Sequence, residues 1–242
     1  MTVTIALTRA QDDAEATAAA LRLRGFAAAI APAIEIRAVA AALPAGRFDA
    51  LIATSPRAIL ALDPGERARF EATPLHVAGE RTAQAARDAG LMLAGAPAAD
   101  SATLVGRVAA VLTPSARVLY LAGRDRKPTL EAAFAASGAK LEVVALYAAE
   151  AREVWSAREA RAIAGCTAAL HYSRRTATLA LALATRAGLA ERFRTLVHVC
   201  LAADVAEPLR THGAERVAVA EAPDEPRLLT ALERALRPSP EG

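Results

Sequence analysis

The chain has 242 residues, of which 54% are hydrophobic and 23% charged, and its formal net charge is +3. These values indicate a folded protein with a full core and exclude a disordered chain. The mild positive charge suits a small anionic ligand. Aromatic residues make up only 4% of the chain, too few for the stacking platforms that bind nucleic acid, so we expect no nucleic-acid partner.

Cysteine usage and the N-terminal segment both indicate a cytoplasmic protein. Cys166 and Cys200 stand far apart and outside any Cys-x-x-Cys or Cys/His cluster, as is typical of reduced buried thiols. The N-terminus turns polar too early for a signal peptide, and no run of about 18 apolar residues lacks charge. We expect a cytoplasmic monomer with no membrane partner.

The chain begins with a predicted β-α-β unit. Val3–Leu7 and Phe26–Ile30 are its strands, and Ala14–Leu23 is the helix between them. Asp12 or Asp13 can cap this helix. Because the crossover of such a unit is right-handed, the two strands are expected to be parallel.

The middle of the chain alternates apolar runs with helical patterns, after an extended segment that begins at Ile34. The predicted strands are Phe48–Thr54, Leu75–Ala78, Leu91–Leu93, Arg117–Leu121 and Leu141–Leu146, and the predicted helices are Ala83–Ala89, Ser101–Leu112 and Leu130–Ala136. Tyr147–Val154 is a second extended segment.

The last third of the chain continues the same alternation. The predicted strands are Ala168–Tyr172, Leu196–Leu201 and Val217–Ala220, and the predicted helices are Ser156–Ala164, Arg175–Ala187, Asp204–His212 and Asp224–Leu236, before a frayed tail over Pro238–Gly242. Trp155 precedes the first of these helices, where we expect it to be a packing anchor.

The second half of the chain repeats features of the first. Phe48–Leu60 (FDALIATSPRAIL) and Ala168–Leu181 (AALHYSRRTATLAL) both end an apolar strand in Ser and continue into a helix that begins with Arg. Leu75–Gly90 aligns with Val197–Gly213, and the N-terminal unit resembles residues 117–146. Such self-similarity predicts two α/β lobes built on one plan.

The repeat also predicts how the lobes are assembled. The simplest topology joins residues 117–146 to the lobe that contains residues 48–112, and pairs the N-terminal unit with the C-terminal third. We therefore predict a discontinuous lobe of residues 1–33 and 155–242 and an inserted lobe of residues 46–144. Residues 34–45 and 145–154 are then two linkers that form a hinge.

The candidate binding residues follow the strands, because ligands of parallel α/β sheets bind beyond the carboxyl ends of the strands and against helix N-termini. The substrate-binding candidates are Arg9, Ser55, Arg57, Gly79, Thr82, Gly123, Arg124, Ser173, Arg174 and Arg175. Hydroxyl, guanidinium and N–H donors on both lobes predict a ligand with many carboxylates, bound between the lobes. Alternatively, Ser55, Thr82 and Ser173 only cap helices, and duplication explains their recurrence.

Several other kinds of site are excluded by missing motifs. The sequence has no P-loop, dinucleotide fingerprint or G-x-S-x-G elbow, and its four histidines lack metal-ligand spacing, so we expect no cofactor and no metal. His76 and His198 occupy equivalent strand starts and are interpreted as structural. His171 could transfer a proton or could point into the core, and Tyr147 and Tyr172 could each be a weak acid or a packing residue.

The order and spacing of these motifs resemble the uroporphyrinogen-III synthase family over essentially the full length of the chain. The segments that carry the resemblance are LTRAQDDA, PAIEI, FDALIATSPRAI, VAGERTAQAARDAG, VLYLAGRDRKPTLEAAFAASGA, VVALYAAE, HYSRRTA and PDEPRLLTAL. The resemblance implies two flavodoxin-like parallel-sheet lobes, joined by a two-stranded linker, with the active site between them.

The resemblance also implies a reaction. The substrate would be hydroxymethylbilane, a linear tetrapyrrole with eight carboxylates, which loses its hydroxyl and closes with inversion of ring D to uroporphyrinogen III. This task needs a held conformation and one weak acid. The family's candidate acid, a tyrosine, corresponds to Tyr147 or Tyr172.

One position departs from the family pattern. Many members carry a G-x-x-T-A helix start in the C-terminal part, which this chain keeps in its first half at residues 79–83 but replaces in its second half with Ala202, Val205 and Ala206. A threonine donor is therefore lost there.

Two other functions remain as alternatives to the synthase. They are a two-lobed anion-binding protein and a regulatory relative without catalysis.

Overall fold

The computed structural model describes residues 2–237 apart from 112, 114 and 127. Its strands are β1 (Thr4–Leu7), β2 (Ala27–Ile30), β3 (Ile34–Ala38), β4 (Ala50–Ala53), β5 (Leu75–Val77), β6 (Arg117–Gly123), β7 (Lys140–Ala151), β8 (Ala168–His171), β9 (Val197–Cys200) and β10 (Arg216–Val219). Its helices are α1 (Gln11–Leu23), α2 (Pro56–Leu60), α3 (Pro64–Phe70), α4 (Glu80–Asp88), α5 (Ser101–Val111), α6 (Thr129–Ser137), α7 (Ala157–Ala164), α8 (Arg174–Arg186), α9 (Ala190–Arg194), α10 (Ala203–Thr211) and α11 (Glu225–Leu236).

The chain divides into two compact units. Unit 1 consists of Met1–Glu35 and Glu150–Gly242, and unit 2 consists of Ile36–Ala149. The two boundaries fall within β3 and β7, which are hydrogen-bonded neighbours in one sheet.

Unit 1 contains a five-stranded sheet in the order β10-β9-β8-β1-β2. Its neighbouring strands are all parallel. Because side chains alternate along a strand, Ile5 and Leu7 pack into the hydrophobic cluster on one face, and Ala6 packs into the cluster on the other. Burial on both faces explains why the central strands are continuous apolar runs.

Unit 2 contains the sheet β3-β7-β6-β4-β5. Strands β4 to β7 pair in parallel, and hydrophobic clusters again cover both faces, with Leu51 and Ala53 in one and Ala50 and Ile52 in the other. The mixed α/β fold with largely parallel sheets, predicted from the sequence, is confirmed.

Several predicted boundaries were wrong. Helix α1 begins at Gln11 with Ala10 as its N-cap, so Asp12 and Asp13 lie in the first turn and stabilise it through the helix dipole rather than as caps. Leu93 makes only an isolated bridge to Leu75 instead of a strand. Strand β7 runs on through the predicted strand end at Leu146 to Ala151, because pairing continues past that point.

Two short helices, α3 and α9, which follow α2 and α8, were not predicted from the sequence. Its predicted helix end at Leu112 and its frayed tail at residues 238–242 lie outside the described residues. Among the described helices, none is long and apolar enough to cross a membrane.

Candidate active site

The carboxyl end of the unit 1 sheet collects residues from three adjacent strands. Arg9 follows β1, Tyr172 and Ser173 follow β8, and Ala202 follows β9. Because these strands are parallel and neighbouring, their ends meet at one edge of the sheet.

Arg9 lies over the ring of Tyr172, with its guanidinium carbon 3.8 Å from the ring centroid. Its Nη1 donates to Thr17 Oγ1 at 3.1 Å. The carboxylates of Glu225 and Asp13 lie 3.6 and 3.9 Å from its nitrogens. The guanidinium is therefore held by an aromatic face, one hydroxyl and two nearby negative charges.

The Tyr172 hydroxyl is committed within the protein. It donates to Glu225 Oε1 at 2.6 Å and lies 3.2 Å from Thr17 Oγ1. Burial, reinforced by the hydrogen bond to Glu225, raises the pKa of Tyr172 well above its usual value. This phenol is neutral at physiological pH, and its one O–H donates to an internal acceptor.

Ser173 caps α8, because its Oγ accepts from the Thr176 N–H at 3.2 Å and lies 2.8 Å from Thr176 Oγ1. The next two residues, Arg174 and Arg175, are exposed, and Arg174 pairs with Glu207 at 2.8 Å. Helix α10 has no side-chain cap.

Val205 lies in the first turn of α10 and is 3% exposed. It therefore offers neither a hydroxyl nor an exposed side chain at the position where the family pattern has threonine.

His171 and His198 form a buried pair instead of an exposed proton-transfer group. His198 Nε2 lies 2.9 Å from the Phe193 carbonyl oxygen and must donate to it, so its Nδ1 accepts from His171 Nε2, also at 2.9 Å. Burial, followed by the influence of His198, lowers the pKa of His171 well below its usual value, and burial lowers the pKa of His198 to about 4. Both rings are fully buried, consistent with a structural role.

The strand ends of unit 2 carry a second group of donors. Ser55 caps α2 by accepting from the Arg57 N–H at 3.3 Å. Gly79 has a φ of +78°, which favours glycine, and begins α4 without a side-chain cap. Thr82 is not the cap of this helix, because it is the third residue of α4, and its side chain is buried.

Gly123 and Tyr147 are packed against each other at the ends of β6 and β7. The pairing shifts register between Ala122 and Gly123, which brings Gly123 opposite Tyr147. A Cβ on Gly123 would lie 2.7 Å from the Tyr147 ring. Arg124 is exposed, and its N–H donates to the Tyr147 carbonyl at 2.8 Å.

Tyr147 is half-buried, and no hydrogen bond of its hydroxyl occurs in the described part of the chain. The third tyrosine, Tyr120, was not predicted as a site residue, and its hydroxyl lies 3.0 Å from Thr54 Oγ1 beside Ser55. Burial raises the pKa of Tyr120, and Tyr147 is among its electrostatic neighbours. Its position in an apolar run, VLYL, concealed it.

Metal ligands are not grouped in the described residues, where no three His, Cys, Asp or Glu side chains are placed to hold an ion. The arrangement suits the binding of anions and the transfer of one proton.

The fold and these strand ends define a class of protein: an α/β chain of two parallel-sheet units, with guanidinium, hydroxyl and N–H donors at their carboxyl edges. Two solved structures have this fold. A uroporphyrinogen-III synthetase from Helicobacter pylori 26695 is 17% identical, covers 98% of this chain and 100% of its own, and has a TM-score of 0.67. A mutant uroporphyrinogen III synthase from the extremely thermophilic bacterium Thermus thermophilus is 19% identical, covers 97% and 99%, and has a TM-score of 0.52.

The family model described as uroporphyrinogen-III synthase HemD matches residues 15–230, most of the chain. The chain belongs to the uroporphyrinogen-III synthase family, an enzyme family of cyclising lyases in haem biosynthesis. A search of curated proteins found no match.

Proposed function

We propose that the strand ends of this uroporphyrinogen-III synthase bind the carboxylates of hydroxymethylbilane, and that Tyr147 supplies the proton for departure of the hydroxyl group. The contrast among the tyrosines carries this proposal. Tyr172 donates to Glu225 and Tyr120 is paired with Thr54, whereas the Tyr147 hydroxyl has no hydrogen-bond partner among the described residues. Of the two candidates that the sequence left open, Tyr147 is the better placed.

Departure of the hydroxyl group needs only a weak acid. The electron-rich terminal pyrrole expels its hydroxyl readily, and a proton from Tyr147 lets it leave as water. Ring D then attacks the methylene carbon of the resulting cation through the α-carbon that already bears its bridge to ring C, which gives the spiro intermediate. The bridge to ring C breaks and re-forms at the other α-carbon of ring D, so that ring D is inverted, and the proton that this carbon loses returns to the phenolate. The protein's main contribution is to hold the conformation that gives the type III isomer.

The carboxylates have two kinds of donor at these edges. The hydroxyls of Ser55 and Ser173 accept from a helix N–H, which leaves the O–H of Ser55 able to donate outwards. Helices α4 and α10 begin without side-chain caps. The N–H groups of Thr82 and Val205 donate to the carbonyls of Gly79 and Ala202, so the N–H groups that precede them in each helix are the ones that we propose for anions. Backbone donation at α10 thus replaces the threonine that Val205 lacks.

We infer further that residues 34–45 and 145–154 are linkers between two flavodoxin-like lobes. The boundaries of the two compact units fall within these segments. In unit 1 the strands lie in the order second, first, third, fourth and fifth along the chain, which is the flavodoxin order. We also propose that the protein is a cytoplasmic monomer that binds no nucleic acid. Light scattering of the purified protein measures its molar mass and so tests whether it is a monomer.

The test uses freshly made hydroxymethylbilane and separates the type I and type III products. The wild-type protein should give type III, and Tyr147→Phe should lower kcat by about 100-fold, since removing a general acid costs about that much or more. KM should change little, because phenylalanine keeps the ring packed on Gly123.

Tyr120→Phe is the matched control, because it removes the other phenol of the same unit and should lower kcat less than tenfold. Type I product alone from the wild-type protein would contradict the function and favour a relative without catalysis. An unchanged kcat in Tyr147→Phe would contradict only the assignment of the acid.

A further inference from the structure

Four side chains of unit 1 meet in one hydrogen-bonded group: Arg9, Thr17, Tyr172 and Glu225. Glu225 Oε1 accepts from the Tyr172 hydroxyl at 2.6 Å and from the Thr17 hydroxyl at 2.7 Å. Thr17 in turn accepts from Arg9 Nη1 at 3.1 Å. The group links α1, α11 and the end of β8, so its geometry is fixed by three separate elements.

Arg9 uses little of its hydrogen-bonding capacity. A guanidinium has five N–H donors, yet within the described residues Arg9 makes one hydrogen bond, to Thr17. Its Nε is buried with no partner there. Glu225 and Asp13 lie 3.6 and 3.9 Å away, which supplies negative charge but exceeds normal hydrogen-bond distances.

Tyr172 fixes the plane of that guanidinium. Its ring lies 3.8 Å below the guanidinium carbon, and its hydroxyl donates to Glu225, which anchors the far end of the ring. A guanidinium stacked in this way is held in one plane. With its Nε buried and its Nη1 bonded to Thr17, Arg9 has its Nη2 left to pair with a carboxylate.

We propose that Tyr172, Thr17 and Glu225 are positioning residues that hold Arg9 with its Nη2 turned to one carboxylate of hydroxymethylbilane, and that Tyr172 transfers no proton. This inference rests on the proposed function. It assigns Tyr172, one of the two candidate acids, to substrate binding.

The Glu225 carboxylate gives the proposal a second consequence. Its negative charge lies close to the site where the substrate carboxylate would bind, and the two repel each other. A glutamine can still accept from Tyr172 and Thr17 while removing that repulsion. Glu225→Gln should therefore lower KM, by about threefold for charges separated by several ångströms near a protein surface, whereas Glu225→Ala frees both hydroxyls and should raise it.

Steady-state kinetics of the full chain test the proposal. Arg9→Ala should raise KM about tenfold, which is the loss of one charge-assisted pair. Tyr172→Leu should raise KM about three- to tenfold, because the cation–π support is lost. Tyr172→Phe keeps the ring, and should raise KM about threefold and lower kcat less than threefold.

The double variant Arg9→Ala/Tyr172→Leu should be no worse than Arg9→Ala alone, because Tyr172 acts through Arg9. Arg24→Ala is the matched control. It removes the ion pair at 2.7 Å between Arg24, the C-cap of α1, and Glu233 of α11, which lies outside the strand-end group, and should leave KM and kcat unchanged.

Three outcomes would overturn the proposal. One is a kcat for Tyr172→Phe reduced 100-fold, as expected of a general acid. Another is a wild-type KM for Tyr172→Leu or, if that variant does not fold, for Thr17→Val, which removes the hydroxyl that Arg9 contacts. The third is additive effects in the double variant. Wild-type protein that makes no type III product would instead refute the proposed function.

Discussion

At the scale of single residues, the contact between Gly123 and Tyr147 leaves no space for a methyl group. A Cβ on Gly123 would lie 2.7 to 2.9 Å from the phenol ring and its hydroxyl, closer than real Cβ atoms approach. Glycine is therefore required at position 123 for the Tyr147 ring to keep its position, independently of any contact between Gly123 and the substrate. Gly123 therefore has a packing role, whereas from the sequence it was predicted only as a binding residue.

Gly123→Ala should displace the Tyr147 ring. We expect kcat to fall about 10- to 100-fold, because a misplacement of about 1 Å can cost that much. Overpacking should also destabilise the protein by about 1–3 kcal/mol. Kinetics with hydroxymethylbilane and urea unfolding measure the two effects.

Gly106→Ala is the control for this substitution. Gly106 lies inside α5, and an added Cβ there meets no atom within 4 Å. Alanine should stabilise the helix by about 0.5–1 kcal/mol and leave kcat unchanged. A Gly123→Ala protein with wild-type kcat would show that the position of the Tyr147 ring does not affect turnover.

The polar contacts of the site show what sequence could predict at this scale. Arg9 and Tyr172 were both predicted, because each directly follows an apolar run. Thr17 and Glu225 could not be, since one is a helix residue and the other the first residue of a distant helix, and only the fold brings them together. Thr17 is separated by 155 residues from Tyr172 and by 208 from Glu225, and such distant partners leave no periodic signal.

At the scale of elements, Ser173 directly precedes helix α8 and has two candidate roles. Its hydroxyl caps the helix in the structure, and a substrate carboxylate could also bind there. Ser173→Asp separates the two roles, because Asp caps about as well as Ser and suits a helix N-terminus. Stability should stay within about 0.5 kcal/mol of wild type.

If a substrate carboxylate binds at this helix start, the new charge should repel it and raise KM about tenfold, equivalent to about 1.4 kcal/mol. Thermal unfolding and steady-state kinetics report the two quantities independently. Ser173→Ala is the comparison, expected to cost about 1 kcal/mol of stability. A wild-type KM in Ser173→Asp would mean that Ser173 is a cap and nothing more.

The elements that sequence missed have physical explanations. Helix α3 carries a full capping box between Asp63 and Glu66, a signal that was present but was not used. Helix α9 has no side-chain cap, and Phe193 is buried in the core of unit 1, so tertiary packing stabilises it. The length of β7 depends on its neighbours in the sheet, which no local pattern reveals.

At the scale of the whole molecule, the buried histidines are unevenly distributed. His171 and His198 both lie in the core of unit 1, where burial lowers their pKa values, that of His198 to about 4. The histidine of unit 2, His76, is only half-buried, and burial lowers its pKa. Acid should therefore affect the two units differently.

The direction follows from where the protons bind. Near pH 7 the histidines are neutral in both the folded and the unfolded protein. As the pH falls below about 6.5, the unfolded chain binds protons that the buried pair cannot, so the free energy of unfolding drops until the folded pKa is reached. At pH 5 His198 alone should cost about 2 kcal/mol, at about 1.4 kcal/mol per pH unit.

Hydrogen exchange at pH 7 and pH 5, corrected for the intrinsic exchange rate, should thus show a larger loss of protection in β8 and β9 than in β4 and β6. Replacing both His171 and His198 with Gln removes the titration and should reduce the difference between the units. Equal losses of protection in both sheets would mean that carboxylates spread over the chain, rather than this buried pair, set its sensitivity to acid.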